Sequence, residues 1–362
     1  MIRFYYGAGT PKTENSLLDA IRTELETGRE VLLLVPEQET VHTERRMAEW
    51  LSPAFQLSFE VLNFTRLANR VFRTAGGLSY RYATPGTQAL FMWKTLRALR
   101  PMLRQLGKKS GNDLRLCEKL LSVSAQLKAY CVTPENLADA STELETGDPL
   151  SDKLFDISLL SGTYDTSLAT HYDSVLDDLT RLSQLIPENP ELFQNTVFVV
   201  DSFSDYTPQE LSVLKELMKV SPAVLISTPL PDAANRDIHL LKIHEDHERL
   251  LRLAKENGGR VYFQPCGTEP PQDALSFLRD CLFKMDSAPA RFPATGKIEL
   301  TVCPSPYEEA EYAAAVTARL IRAGYRYSDI TGVVRDAGAS AGILADTLQQ
   351  ENIPYFFSEK TD

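Results

Sequence analysis

The stretch YYGAGTPKT, residues 5–13, holds the residue types of a phosphate-binding loop in an altered arrangement. A working loop of this kind reads G-x-x-x-x-G-K-[ST]. Its glycines let the backbone wrap a phosphate, its lysine reaches the outer oxygens, and its hydroxyl meets Mg2+. In that frame Lys12 and Thr13 hold the last two positions and Gly7 and Gly9 lie within the loop, but Tyr6 and Pro11 stand where the two glycines belong. Proline has no N–H to give to a phosphate, and its ring fixes φ at about −65°. The same residues make a plain helix start, with Thr10 as N-cap and Pro11 at the first helical position. ATP with Mg2+ is the ligand such a pattern would hold, through Gly7, Gly9, Lys12 and Thr13. Pro11 argues against tight binding and against hydrolysis.

A hydrolysing loop needs a second strand that ends in Asp-Glu: the Asp holds the metal through water and the Glu activates the attacking water. The apolar run TVFVVD ends in Asp201, which completes the nucleotide-site set, but Ser202 follows it. Serine is no base near neutral pH without a partner, so the water-activating position is empty. Asp201 has a plainer reading too, as a strand-end aspartate that caps a helix.

The remaining reactive residue types are scattered. Cys117, Cys131, Cys266, Cys281 and Cys303 include no C-x-x-C pair, so local spacing builds neither a zinc site nor an iron–sulfur cluster, and bystander thiols are expected. Of His42, His171, His239, His244 and His247, only those in HLLKIHEDHE have metal-like spacing, and on a solvated helix such spacing seldom holds a metal. The net charge of −11 over 362 residues argues against a general grip on nucleic acid, which needs concentrated Lys and Arg. One basic run, LRALRPMLRQLGKKSGNDLR, is read as a solvated helix face. With 43% hydrophobic and 24% charged residues, no membrane-length apolar run and no signal peptide, the chain reads as a cytoplasmic globular protein with no membrane partner.

The elements that must position these residues follow from periodicity. MIRFYY reads as a strand, TENSLLDAIRTELETG as an amphipathic helix closed by Gly28, REVLLLVPEQ as a strand buried on both faces, TVHTERRMAEWL as a helix and FEVLNF as a strand. This β-α-β-α-β order implies a doubly wound α/β sheet. From about residue 80 to 193 the apolar spacing is helical throughout, and NTVFVVDSF, TPQELSVLKELMKV and PAVLIST then resume the strand–helix–strand pattern. MDSAPARFPATGK reads as a linker. IELTVC, EEAEYAAAVTARLIRAG, DITGVVRD and IPYFF start a second β-α-β-α-β unit with too few strands to finish a domain, as in a piece of a longer protein. The expected organisation is 1–80 and 194–285 as two parts of one parallel-sheet domain, 81–193 as a helical insert, 286–297 as a linker and 298–362 as the start of a second domain.

Several of these segments together resemble the N-terminal region of AddB, the second subunit of the bacterial AddAB helicase–nuclease, and more distantly superfamily 1 helicases of the UvrD and RecB type. VLLLVPEQETVHTE and VLNFTRLANRVFRTAGG are similar to consecutive segments of that family, the latter at the helicase motif T-F-T-x-x-A. VVDSFSDYTPQE is similar to the Walker B stretch V-D-E-F-Q-D-T-x-P-x-Q, in which Asp201, Phe203, Asp205 and Pro208 fit while Ser202, Ser204 and Tyr206 depart. QLKAYCVTPENL in the helical stretch, EEAEYAAAVTARLIRAGYRYSDITGVVRD and IPYFFSEK continue the likeness in the family's order.

The resemblance implies two RecA-like, P-loop NTPase-like domains, the first interrupted by the helical insert and the second only begun. It implies work beside an AddA-type partner in a heterodimer that processes double-strand breaks for recombinational repair. The helicase-like half of such a subunit has lost motor activity and scans single-stranded DNA for a Chi sequence. The family's nuclease domain and iron–sulfur cysteines lie far beyond residue 362, so no iron–sulfur cluster and no catalytic residue are expected here. By the same likeness Phe64, Thr65, Arg66 and Arg70 sit where a strand-to-helix turn meets the DNA backbone. The plainer reading of that turn is an N-capping Thr65 with surface arginines. Gln38, at the C-terminal end of a strand where α/β sheets often place ligands, is open to a structural reading. Two further alternatives remain: a working NTPase motor, and a protein–protein scaffold without DNA binding.

Overall fold

The computed structural model describes residues 1–7, 11–78, 81–107, 113–145, 147–234, 236–265, 273–282, 296 and 298–357. The chain forms two compact units, Met1–Thr268 and Glu269–Asp362. In the first, β1 (Ile2–Tyr6), α1 (Pro11–Glu26), β2 (Glu30–Leu34), α2 (Thr40–Trp50), β3 (Phe59–Leu62) and α3 (Phe64–Ala75) follow in the order that the periodicity predicts. Gly28 closes α1 with φ +81°, the left-handed conformation that glycine adopts without strain, and its N–H donates to the Leu25 carbonyl at 3.0 Å.

Helices then take over: α4 (Pro85–Leu99), α5 (Asp113–Ala129), α6 (Pro134–Glu143), α7 (Pro149–Ala169) and α8 (Asp178–Glu188). The chain returns to the sheet as β4 (Thr196–Val200), α9 (Pro208–Val220), β5 (Val224–Thr228), α10 (Leu241–Glu256) and β6 (Val261–Pro265).

The six strands form one all-parallel sheet in the order β3-β2-β4-β5-β1-β6. Alternate residues face opposite layers, as strand geometry requires. Ile2, Phe4 and Tyr6 of β1 join Phe198, Val200 and Ile226 under α3, α8, α9 and α10. Tyr5 joins Leu33, Val197 and Leu225 under Leu17, Ile21 and Leu25 of α1 and Met47 of α2. Covering both faces explains the continuous apolar runs of β2 and β4.

Helices α4, α5 and α7 hold a separate core of Met92, Leu96, Cys117, Leu120, Leu160 and Tyr164. The basic run expected as a solvated helix face differs: its helix ends at Leu99, and a tight turn follows at Arg100–Met102. Asp156, fully buried on α7, explains the turn's shape, since its carboxylate accepts N–H bonds from Arg104, Gln105 and Leu106 at 2.7–2.8 Å. Arg97 and Arg104 lie over the rings of Trp93 and Phe155, and Arg100 pairs with Asp113. Lys108 and Lys109 lie outside the described residues.

HLLKIHEDHE is corrected too. Rather than being solvated all round, α10 buries His244, Asp246 and His247 against the sheet. Neither β6 nor the covering role of α10 was legible, because His, Asp and Tyr interrupt their apolar patterns.

In the second unit α11 (Ala274–Cys281), α12 (Pro306–Arg322) and α13 (Ala337–Gln350) form, and α12 packs on α13 through Ala314, Leu344 and Leu348. The apolar stretches at 298–303, 330–334 and 353–357, expected as strands, pair with no strand among the described residues. Leu300, Val302, Val333 and Phe356 are 88–92% exposed on them. A parallel strand depends on neighbours at its edges and layers on both faces, and these stretches lack both among the described residues. The expected linker lies outside the described residues, Gly296 apart. Among the described residues, no helix is long and apolar enough to cross a membrane.

Candidate functional site

The carboxyl ends of β1, β4 and β5 meet at one edge of the sheet, where doubly wound folds place their ligands. A cavity of about 290 Å³ opens there, lined by Gly7, Thr13, Glu14, Arg46, Asp201, Ser202, Phe203, Ser227 and Thr228 among others. The structure therefore brings together Gly7, Thr13 and Asp201, three of the residues singled out for a nucleotide site. Gly9 and the side chain of Lys12 lie outside the described residues.

Each wall of this cavity has a local cause. Gly7 has φ +128° and its N–H donates to the Leu230 carbonyl at 2.9 Å, which ends β1 and turns the chain toward α1. Thr13, in the first turn of α1, is buried, and its Oγ1 donates to the carbonyls of Gly7 at 2.7 Å and Tyr6 at 3.3 Å. Asp201 ends β4, where its N–H donates to the Leu34 carbonyl at 3.0 Å. It does not cap the next helix; Thr207 does, reciprocally with Glu210. Ser202 follows with φ +65°, a left-handed conformation uncommon outside glycine and asparagine and most often met at functional turns.

The charges are already matched within the chain. Arg46, from α2, pairs through Nη1 with Glu14 and places Nη2 4.0 Å from Asp201 Oδ2. The other Asp201 oxygen accepts from Ser227 Oγ. A bound Mg2+ needs ligand oxygens free to approach at about 2.1 Å in near-octahedral geometry. Here a guanidinium faces the aspartate that would hold the metal, so the arrangement does not fit the ion, and no step is derived through it.

Tyr6 serves a different purpose from the glycine it replaces. Its ring turns to the opposite face of the sheet and its hydroxyl shares a 3.0 Å hydrogen bond with His247 Nε2. Burial, reinforced by His244, pushes the His247 imidazole down to about 4, so it is neutral near pH 7. Burial holds the Tyr6 phenol above its usual range. The pair locks the end of β1 to α10.

The residues singled out for DNA divide. Asn63, not Thr65, caps α3, accepting from the Arg66 N–H at 2.7 Å. Phe64 is buried and meets Phe203 edge-on at 5.6 Å, and Phe203 in turn stacks on Tyr206 at 5.1 Å. Thr65 and Arg66 are exposed at the carboxyl edge, with Arg66 2.6 Å from Glu44. Arg70 is turned away from that edge and pairs with Glu30, the first residue of β2, and Glu60. Gln38 is exposed in the turn after β2.

Glu14, Arg46 and Ser227 carried no sequence signal as a group. Glu14 follows Thr13 directly, but Arg46 is one of two adjacent arginines on an ordinary amphipathic helix, and only the packing of α2 selects it.

The family described as "ADDB, N-terminal" matches residues 4–273. The whole chain is 30% identical to the B subunit of an ATP-dependent helicase/deoxyribonuclease from Thermoanaerobacter sp. and 28% identical to that of Acetivibrio thermocellus, covering 32% of each relative. A protein of the same name from Desulforudis audaxviator is 33% identical over 99% of the chain and 32% of its own length. The chain thus spans about a third of the length of these relatives.

Proposed function

The chain belongs to the AddB N-terminal family, and from that premise we propose that it is the helicase-like part of a DNA-repair subunit whose nucleotide site does not turn over ATP. It handles single-stranded DNA beside an AddA-type helicase/nuclease partner during double-strand break repair and recombination, where it takes part in scanning for Chi. The names of the relatives support a place in such a two-subunit assembly.

One observation carries the motor-inactive part of this reading: the Arg46 guanidinium lies between Glu14 and Asp201, with Ser202 following the aspartate. Turnover needs a cation that draws charge from the transferring phosphate and a base that orients water. Here the cation position is taken by a side chain and the base position by a hydroxyl. Pro11 removes one of the backbone donors that would hold the phosphates.

The DNA part rests on α3. Its N-terminus, with Thr65 and Arg66 exposed and no acidic residue in its first turn, presents backbone and side-chain donors at the sheet edge. Such groups contact phosphates and set register without reading bases.

The test is a turnover and binding assay on this chain. Release of phosphate from Mg-ATP stays at background with or without single-stranded DNA, while a labelled oligonucleotide binds with an affinity that falls as salt rises. Turnover above background that Lys12→Ala abolishes would overturn the motor-inactive reading. Absence of DNA binding at low salt would leave a protein–protein scaffold.

A further inference from the structure

We propose that Arg46 is the resident cation of this cavity and that it excludes divalent metal from the Glu14–Asp201 carboxylate pair. This deepens the reading of a site without turnover and rests on it. It adds which side chain sets the property, and that the property is reversible by one substitution.

The cavity wall holds two carboxylates from different elements, Glu14 at the start of α1 and Asp201 at the end of β4. Left alone, two like charges at one cavity repel, and a hard cation shared between oxygens is the usual solution. Arg46 supplies a different one. Its Nη1 donates to Glu14 while Nη2 faces Asp201 at 4.0 Å, so a single planar fork spans both acids. Ser227 donates to the remaining Asp201 oxygen, which fixes the carboxylate toward the guanidinium.

The position of Arg46 is held by its helix. Met47, its neighbour on α2, is 1% exposed and packs in the same layer as Leu17 and Ile21 of α1. Arg46 therefore reaches the cavity from an anchored backbone. Its Nε–H, buried without a hydrogen-bond partner, also shows that no other acceptor competes for the group. A guanidinium keeps its charge at every accessible pH, so the exclusion does not relax with protonation.

The proposal is tested with Mn2+ as the probe, followed by paramagnetic resonance of the free ion and by calorimetry, on the whole chain without nucleotide or DNA. The unaltered chain shows no Mn2+ binding that depends on Asp201. Arg46→Ala and the longer Arg46→Gln bind Mn2+ at least about tenfold more tightly than the parent, a modest gain for loss of a half-exposed cation. The added replacement Asp201→Asn removes the gain. Mn2+ binding by the unaltered chain that Asp201→Asn abolishes would overturn the proposal. So would folded Arg46 variants, checked by circular dichroism, that gain no binding. Because nucleotide is absent throughout, these outcomes are separate from the turnover assay: a chain that hydrolyses ATP contradicts the function above, whereas metal binding beside Arg46 contradicts this inference.

Discussion

Two helices begin at the carboxyl edge of one sheet, and they begin differently. Helix α1 follows β1 and faces a cavity in which Glu14, Arg46 and Asp201 satisfy one another. Helix α3 follows β3, takes its cap from Asn63 and leaves Thr65 and Arg66 in solvent. Both starts are strand–turn–helix, the construction that collects phosphates in α/β proteins. The difference lies in what the rest of the fold brings to each. At α1 a neighbouring helix contributes a cation and the next strand an anion, and the site closes on itself. At α3 the neighbour contributes a carboxylate, Glu44, to an exposed arginine, and exposed pairs of that kind are weak and give way to a better anion.

The largest effect that would break this comparison is loss of the aromatic contact joining the two regions. Phe64 opens α3 and packs on Phe203, which sits two residues past Asp201. Phe64→Ala empties a buried site and should cost about 3 kcal/mol or more, measured by urea unfolding. A loss under about 1 kcal/mol would mean that α3 and the Asp201 turn are positioned independently.

A smaller and more selective effect separates the α1 end. The buried, neutral His247 holds Tyr6 at the end of β1. Its imidazole lies lowered from 6.5 to about 4, so between those values the unfolded chain takes up a proton that the folded chain refuses. More protons on the unfolded side means that stability rises with pH across this window, by roughly 1.4 kcal/mol per pH unit, and that this contribution is flat above it. Tyr6, Phe4 and Phe263 face the ring, His244 lies beside it, and Glu248 and Arg236 act on it electrostatically. Unfolding midpoints followed from about pH 7 to 5 should fall for the parent chain and fall less for His247→Gln. Parallel pH profiles for the two chains would place the acid sensitivity elsewhere.

The contrast also explains which features the sequence could carry. The strands of the first unit and the helices between β3 and β4 were legible, because each is a local pattern of apolar residues at a fixed period. Asp201 and Thr13 were legible because motif spacing implies proximity. Arg46 was not, since nothing local distinguishes it from Arg45, which pairs with Glu49 on the same helix. The burial of His244 and His247 was missed for a related reason: a polar residue under a sheet is acceptable only with a partner on another element, and Tyr6 is 241 residues away in the chain. The stretches at 298–303, 330–334 and 353–357 fail in the opposite direction, with apolar patterns of strands but no neighbour to pair with among the described residues.

The smallest effect sharpens the comparison most, because it sets two arginines of one helix against each other. Arg66 and Arg70 are one turn apart on α3, but Arg66 stands at the carboxyl edge with a single exposed partner, whereas Arg70 bridges Glu30 and Glu60. If the open start of α3 meets DNA, Arg66→Ala should weaken binding of a single-stranded oligonucleotide about threefold and shallow its salt dependence by somewhat under one unit. Arg70→Ala should leave both unchanged and lower stability by less than about 1 kcal/mol, as expected for half-exposed ion pairs. Equal losses from both variants would mean that DNA follows the length of α3 and not its N-terminus. Equal indifference would remove α3 from the DNA path, and with it the distinction between an open and a closed helix start as an account of what this end of the sheet does.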